Sequence, residues 1–364
     1  MITFAPTFRY GFSCMKISSA QYIKHNGSEI DLLKFVLAIF VVGIHTSAVN
    51  FIGRPVFRVG VPIFIIISSY LFFVKQKTCA TASERKQGLV RYVKRIMKLY
   101  LFWFVFLLPV TVHKKWCVNP GFDTLVDVVR KFFFDSTFSG SWFLMALVLG
   151  LPVVWFLNEK KIHDFWILAL GIMLYLLCCM TSVYRPLVAN VPWLAQLLDS
   201  CETVIVCPHN SFVVGILFLA MGKMLAQRSF YVPNAILIVM TVVSLVLLYG
   251  EYFFIKSMYK VTNDDCFLML SPLSVCLFML VGQNARFRLN FDTKPLRAYS
   301  TIIYCSHISV AYCLYQVLIN FVKYKSAIYY LSLFSATLLL VLLLSYVLLR
   351  LEKRDSLHWL KYSH

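Results

Sequence analysis

Lys34 and His45 stand eleven residues apart in a stretch, residues 32–49, that holds no other charged side chain. A helix turns 100° per residue, so this spacing returns to within about 20° of the same face, and the rise separates the two groups by roughly 16 Å. An amine and an imidazole then look into one interior at two depths. Ionisable groups are expensive inside a membrane helix, so the pair marks a functional site. The chemistry that fits is general-base catalysis. An alcohol attacks poorly until its proton is taken in the transition state, and an imidazole that titrates near neutrality suits that task. Taken alone, His45 also reads as a histidine hydrogen-bonded within a bundle, and Lys34 as a helix-end lysine whose ammonium snorkels to the boundary.

A membrane bundle is what would hold these groups in place. Of the 364 residues 60% are apolar, where soluble domains keep nearer ~45–50%. The chain reads as all-α, a polytopic transmembrane helix bundle of about ten spans. The apolar runs lie near 31–50, 57–74, 92–112, 142–157, 164–181, 209–226, 232–250, 266–282, 298–320 and 326–349. Residues 1–30 read as an uncleaved N-terminal tail, 31–350 as one bundle and 351–364 as a C-terminal tail. Lys and Arg number 35 against 16 Asp and Glu. They gather in alternate connections on the side of both termini, above all at Lys75, Lys77, Arg85, Lys86, Arg91, Lys94, Arg95 and Lys98. Positive charge stays inside, which places both termini in the cytoplasm and the protein in the cell membrane. The net charge of +19 is then a topology signal and argues against a nucleic-acid partner, while also offering a basic floor to an anionic donor.

Further polar residues could serve the same interior. His307 falls about nine residues into the ninth apolar run, where it lines the channel or bonds a neighbouring helix. Ser68, Ser69 and Tyr70 offer hydrogen bonds to a ligand or to a helix seam. Arg58, ahead of Gly60 and Pro62, could hold a phosphate or carboxylate, or meet a headgroup. Trp142 suits a sugar-stacking surface and an interfacial aromatic belt alike. Two longer external connections, 113–141 and 182–208, are expected to lodge an exported substrate. The eleven cysteines and the dispersed histidines show no ligand spacing, so no metal is expected. Cys117, Cys201 and Cys207 fall where a disulfide, such as Cys201 to Cys207, is permitted.

The run from Asp31 to His45 resembles the opening of the acyltransferase-3 family of integral membrane O-acyltransferases. In that family an arginine, ten residues and a histidine mark the first helix; Lys34 stands at the arginine position, so a bidentate fork becomes a point charge. The segments Arg58 to Tyr70, Tyr92 to Tyr100, Ser141 to Leu144 and Ser300 to His307 resemble later signatures in the same order. The likeness covers almost the whole chain, as a membrane module without the esterase-like domain that some members append.

The resemblance implies transfer of an acetyl or similar group from acyl-coenzyme A, a substrate and not a permanently bound cofactor, to a hydroxyl of an envelope glycan or lipid-linked sugar. By the same resemblance His45 is the catalytic base, and Lys34, Ser68, Ser69, Tyr70, Lys94, Arg95 and His307 bind the donor or line its channel. Arg58, Trp142, His209 and Asn210 contact the acceptor. His209 and Asn210 stand where the family often has an Arg-Asn pair, although a helix start also explains their polarity. The alternative is a transporter of a small solute or lipid-linked sugar. Direct transfer or a covalent intermediate, and a monomer or a homodimer among membrane lipids, are left open.

Overall fold

The structure, a computed structural model, describes residues 19–47, 53–114, 125–138, 140–228, 232–259, 264–283, 292–324 and 326–364. Most of the expected N-terminal tail, up to residue 18, lies outside the described residues, as do Cys117 and the remainder of 115–124 in the first long connection.

Among the described residues all regular structure is helical. In lipid a helix is the segment that satisfies its own backbone, so apolar runs of this length have no other local solution. The long helices are α1 (Ser19–His45), α2 (Gly60–Gln76), α3 (Ala82–Phe106) and α4 (Trp142–Glu159). They continue with α5 (Asp164–Met180), α6 (Phe212–Gln227), α7 (Asn234–Met258), α8 (Leu270–Gln283), α9 (Lys294–Leu318) and α10 (Ala327–Leu351). Each expected apolar run therefore holds a helix. Length and composition qualify five, not ten, to cross a membrane: Arg54–Gln76, α4, α7, α9 and α10. The difference has a physical reason. Helices α5, α6 and α8 are apolar but fall in the 10–17-residue class, short of the about 20 residues that span a hydrocarbon layer. The first half of α3 is rich in Arg and Lys, and α1 carries Asp31 and Lys34.

The centre of the bundle is the crossing of α2 and α6, the most extensive helix pair. Two-thirds of the apolar window that includes α2 is buried, against 22% for α7 and 28% for α10, so α2 is enclosed and those two are peripheral. Gly222 permits the close approach: a Cβ there would lie 2.5 Å from the carbonyl oxygen of Ile66. Beside it Ser69 donates its hydroxyl to the Leu219 carbonyl at 2.6 Å. Around this core α1 packs on α9, α9 on α10, α5 on α6 and α7 on α8. A π-helical turn at Ala146–Gly150 in α4 faces α6. Such turns insert one residue and re-aim the side chains beyond them.

Polar contacts tie the connections at each end. The lower end, defined by the 76–82 turn, holds Arg85 against Glu159 at 2.9 Å, Gln227 against Asn158 at 2.7 Å, and Asp164 between Lys223 and Arg228. A capping box of Thr81 and Glu84 starts α3 there, the Glu84 N–H donating to Thr81 Oγ1 at 3.1 Å. The upper end holds Arg54 and Arg58 against Asp264 and Asp265. At the C-terminus Asp355–Ser363 forms a 3-10 helix packed on α3 and α10, with Trp103 Nε1 donating to the Ser363 carbonyl at 3.0 Å. Cys201 and Cys207 are free thiols.

Candidate active site

The lower half of the bundle holds a half-open cavity of about 740 Å³ lined by residues of α1, α2, α3, α4, α9 and α10. Six cationic side chains line it, Lys34, Arg95, Lys294, Arg297, Arg350 and Lys353, against Asp292 and Glu352. Asp31 is 3% exposed and receives two hydrogen bonds of 2.9 Å from Arg297. One turn of α1 beyond it comes Lys34, which feels the attraction of Asp31 and the repulsion of Arg297 and Arg95. The six cations of the lining thus stand against three carboxylates, Asp31, Asp292 and Glu352. A pocket lined with excess positive charge concentrates anions.

The cavity's lining includes an aromatic group from three helices: Phe64 of α2, Phe143 of α4 and Tyr304 of α9. Tyr304 lies 4.9 Å from Phe143 and 5.8 Å from Phe64, centroid to centroid. Its hydroxyl donates to the Gly140 carbonyl at 3.3 Å. Gly140 has φ +85°, a conformation that glycine adopts without strain, and it sits in the hydroxyl-rich turn that leads into α4. Ser136 and Ser141 hold that turn by accepting the N–H groups of Trp142 and Thr137.

Beyond Tyr304 comes a histidine pair. The His307 ring lies 6.0 Å from Tyr304 and 5.1 Å from His45. His307 Nδ1 is 3.0 Å from the Ile303 carbonyl and 2.8 Å from that of Tyr304. Both are acceptors, so the proton sits on Nδ1 and the lone pair on Nε2. That Nε2 is buried and has no hydrogen-bond partner among the described residues, in a residue only 1% exposed. His45, by contrast, is exposed. The charges of Arg58, Arg54 and Lys114 act on its imidazole.

The upper polar network stands behind His45. Arg58 donates to Asp264 at 2.7 Å and also pairs with Asp265, while Arg54 meets Asp264 at 2.9 Å. Asp265 lies 3.9 Å from His209 Nε2, which is also 3.2 Å from Cys207 Sγ; His209 Nδ1 is 3.4 Å from Thr181 Oγ1. Burial holds the His209 imidazole below its ordinary pKa; Asp265 opposes this and Arg58 adds to it. Burial likewise pushes the Cys207 thiol up to about 12, with Asp135 and Asp265 in the same direction.

The expected residues therefore divide. Lys34, Ser68 and Arg95 line the cavity, and His45 and His307 meet above it. Ser69 and Tyr70 do not line it: Ser69 is spent on the α2–α6 seam, and Tyr70 packs edge-on against Phe278 of α8 at 5.3 Å. Lys94 is exposed and outside the lining. Arg58 is engaged by two carboxylates. Trp142 is half-buried at the upper start of α4, and Asn210 donates its N–H to the Cys207 carbonyl at 2.9 Å. Residues not singled out in sequence were Arg297, Tyr304 in the cavity's lining, Asp264 and Asp265. Two adjacent acids in a chain with few of them were the available signal for the last pair.

Comparison with known proteins places this arrangement. A family model described as an acyltransferase domain, the acyltransferase-3 type, matches residues 28–348. A protein named amino-acid racemase from Enterococcus faecalis is 23% identical over 345 residues, 91% of this chain and 47% of that protein. A second of that name and source is 24% identical over 71% of this chain and 38% of its own length. A serine/alanine racemase from Enterococcus gallinarum is 24% identical over 69% of this chain and 36% of its own. The chain thus spans less than half the length of these relatives. No solved structure matches.

Proposed function

The chain belongs to the acyltransferase-3 family, and from that premise we propose that it moves an acetyl or similar acyl group from acyl-coenzyme A to a hydroxyl of an envelope glycan or lipid-linked sugar. All ten long helices cross the cell membrane in this reading, with both termini and the lower end in the cytoplasm. The shorter ones do so by tilting little and thinning the layer around them.

The donor enters the lower cavity, and its phosphates meet Lys34, Arg95, Arg297 and Arg350. Charge-assisted contacts of this kind are the stronger class of hydrogen bond. Its acyl arm points up past Phe64, Phe143 and Tyr304. The acceptor approaches His45 from the upper side, where Arg54 and Arg58 are held by Asp264 and Asp265. His45 takes the hydroxyl proton as the oxygen attacks the thioester carbonyl. General-base help of this kind is worth ~10²–10⁴-fold.

One observation supports this reading above the rest. Lys34 and His45 project toward α9 at two depths, one into the cation-rich cavity and one against His307. The test uses protein purified into lipid vesicles, radiolabelled acetyl-coenzyme A and an envelope extract as acceptor. Acceptor-dependent release of free thiol is expected, and its loss in His45→Ala. Undiminished release in that variant would remove His45 as the base.

A second reading is transport of a small solute or lipid-linked sugar through the same interior, and the amino acids in the relatives' names are the first solutes to try. Uptake of labelled serine or alanine by the same vesicles, without thiol release, would support that reading against the first.

A further inference from the structure

In acyl transfer one proton must leave the attacking oxygen, and one is needed where the leaving group departs. The two reacting partners approach this site from opposite ends. His45 is open to the upper side, whereas the sulfur of a donor held in the lower cavity would arrive past Tyr304. His307 lies between: 6.0 Å from the Tyr304 ring and 5.1 Å from the His45 ring.

The protonation of His307 is unusually well fixed. Two backbone carbonyls claim Nδ1–H, so Nε2 is the one nitrogen that can gain or lose a proton. That atom is buried without a partner among the described residues. Leaving a buried polar atom unsatisfied is destabilising. A histidine kept only to bond its own helix would do so through Nδ1 and gain nothing from a second, buried imidazole nitrogen. Phe64 and Phe143 beside the approach carry no acid, and the Tyr304 hydroxyl is turned to the Gly140 carbonyl at 3.3 Å, which leaves His307 Nε2 as the titratable position without a partner among the described residues.

Building on the acyltransferase reading, we infer that His307 is the general acid for the leaving group, receiving at Nε2 the proton that His45 has taken from the acceptor and delivering it to the donor sulfur. The step balances. A C–O bond forms as the hydroxyl oxygen attacks the carbonyl and its proton passes to His45. The tetrahedral intermediate collapses, the C–S bond breaks with its electron pair on sulfur, and the proton arrives there from His307. An alcohol and a thioester become an ester and a free thiol, and nothing is oxidised or reduced. Both histidines end neutral. The division of labour follows from placement: one imidazole faces the acceptor and the other faces the donor.

A leaving group that needs no proton separates this role from a structural one. The acetyl selenoester analogue of coenzyme A has nearly the shape of the thioester, but its selenolate is a far weaker base. His307→Asn and His307→Phe should lose roughly 100-fold in kcat with the thioester, the scale of general acid catalysis. With the selenoester they should come within about threefold of the unaltered protein, since the lost step is the only acid-catalysed one. His45→Ala should be impaired with both donors. Equal losses in the His307 variants with both donors would overturn the assignment while leaving the acyltransferase reading intact. No acceptor-dependent release from the unaltered protein with either donor would overturn that reading and this assignment with it. If neither variant folds, the unaltered protein still decides: its solvent deuterium isotope effect on kcat should be larger with the thioester than with the selenoester, and equal effects would overturn the assignment.

Discussion

The lower cavity and the upper histidine pair share α1 and α9 and are built on opposite principles. The cavity is wide, lined by six cationic side chains and short of carboxylates, so it attracts. The histidine pair is narrow, and the charges nearest it are matched, Arg54 and Arg58 by Asp264 and Asp265. Its distinguishing feature is one imidazole nitrogen with no partner among the described residues. Excess charge serves capture, which tolerates loose geometry. Proton transfer needs a defined lone pair, and compensated charge around it keeps the site from being occupied by a permanent counter-ion. Tyr304, between Phe64 and Phe143, stands where one regime gives way to the other.

That contrast makes separable predictions. The largest effect belongs to the pair: His45→Ala should lower kcat by ~10²–10⁴-fold and leave the donor KM nearly unchanged, as read from steady-state thiol release. Next comes the cavity. Lys34→Met should raise the donor KM about 10–100-fold, the equivalent of a charged hydrogen bond of about 1.5–3 kcal/mol, with little change in kcat. Lys34→Arg should retain affinity. A kcat defect at unchanged KM in Lys34→Met would erase the distinction between capture and chemistry. The scaffold should respond in stability instead of kinetics. Gly222→Ala forces a Cβ to within 2.5 Å of the Ile66 carbonyl oxygen, and overpacking of this kind costs about 1–3 kcal/mol, to be seen as a lower Tm with kcat of the folded fraction preserved.

The smallest expected effect is on pH dependence. Burial lowers the His209 pKa in the folded protein below the ordinary value of 6.5. Above that value both folded and unfolded states carry a neutral imidazole, and His209 contributes no pH dependence. As the pH falls through it the unfolded chain takes up the proton first, so stability declines toward the folded-state pKa. His209→Gln should flatten the stability profile on the acid side of neutrality, and an unchanged slope would show that the network around Asp265 does not govern it.

The sequence made some of this legible and left other parts hidden for geometric reasons. The eleven-residue spacing of Lys34 and His45 set both toward α9, because helical periodicity survives any packing. A run such as Ser68, Ser69 and Tyr70 could not be divided in the same way. Successive residues on a helix point 100° apart, so Ser68 lines the cavity while Ser69 meets Leu219 and Tyr70 meets Phe278. Arg95 and Lys94 separate for the same reason. The Asp31 to Arg297 pair joins residues 266 positions apart, and no local pattern in either segment announces the other. The span count was read from apolar runs, but α5, α6 and α8 form helices of only 10–17 residues within them. The position of His307 in the ninth run was apparent; that its Nδ1 would be held by its own helix, leaving Nε2 bare, depends on a rotamer that no sequence pattern specifies.

The central claim is that one axis leads from the cation-lined cavity at the lower end to His45 at the upper end. It is tested most directly in vesicles carrying the protein in a single orientation, with labelled acetyl-coenzyme A confined to the side of the lower end and a hydroxyl acceptor to the other. Label should appear on the acceptor across the membrane, and should fail to do so when donor and acceptor exchange sides. Transfer only when both are supplied on the same side would contradict the account.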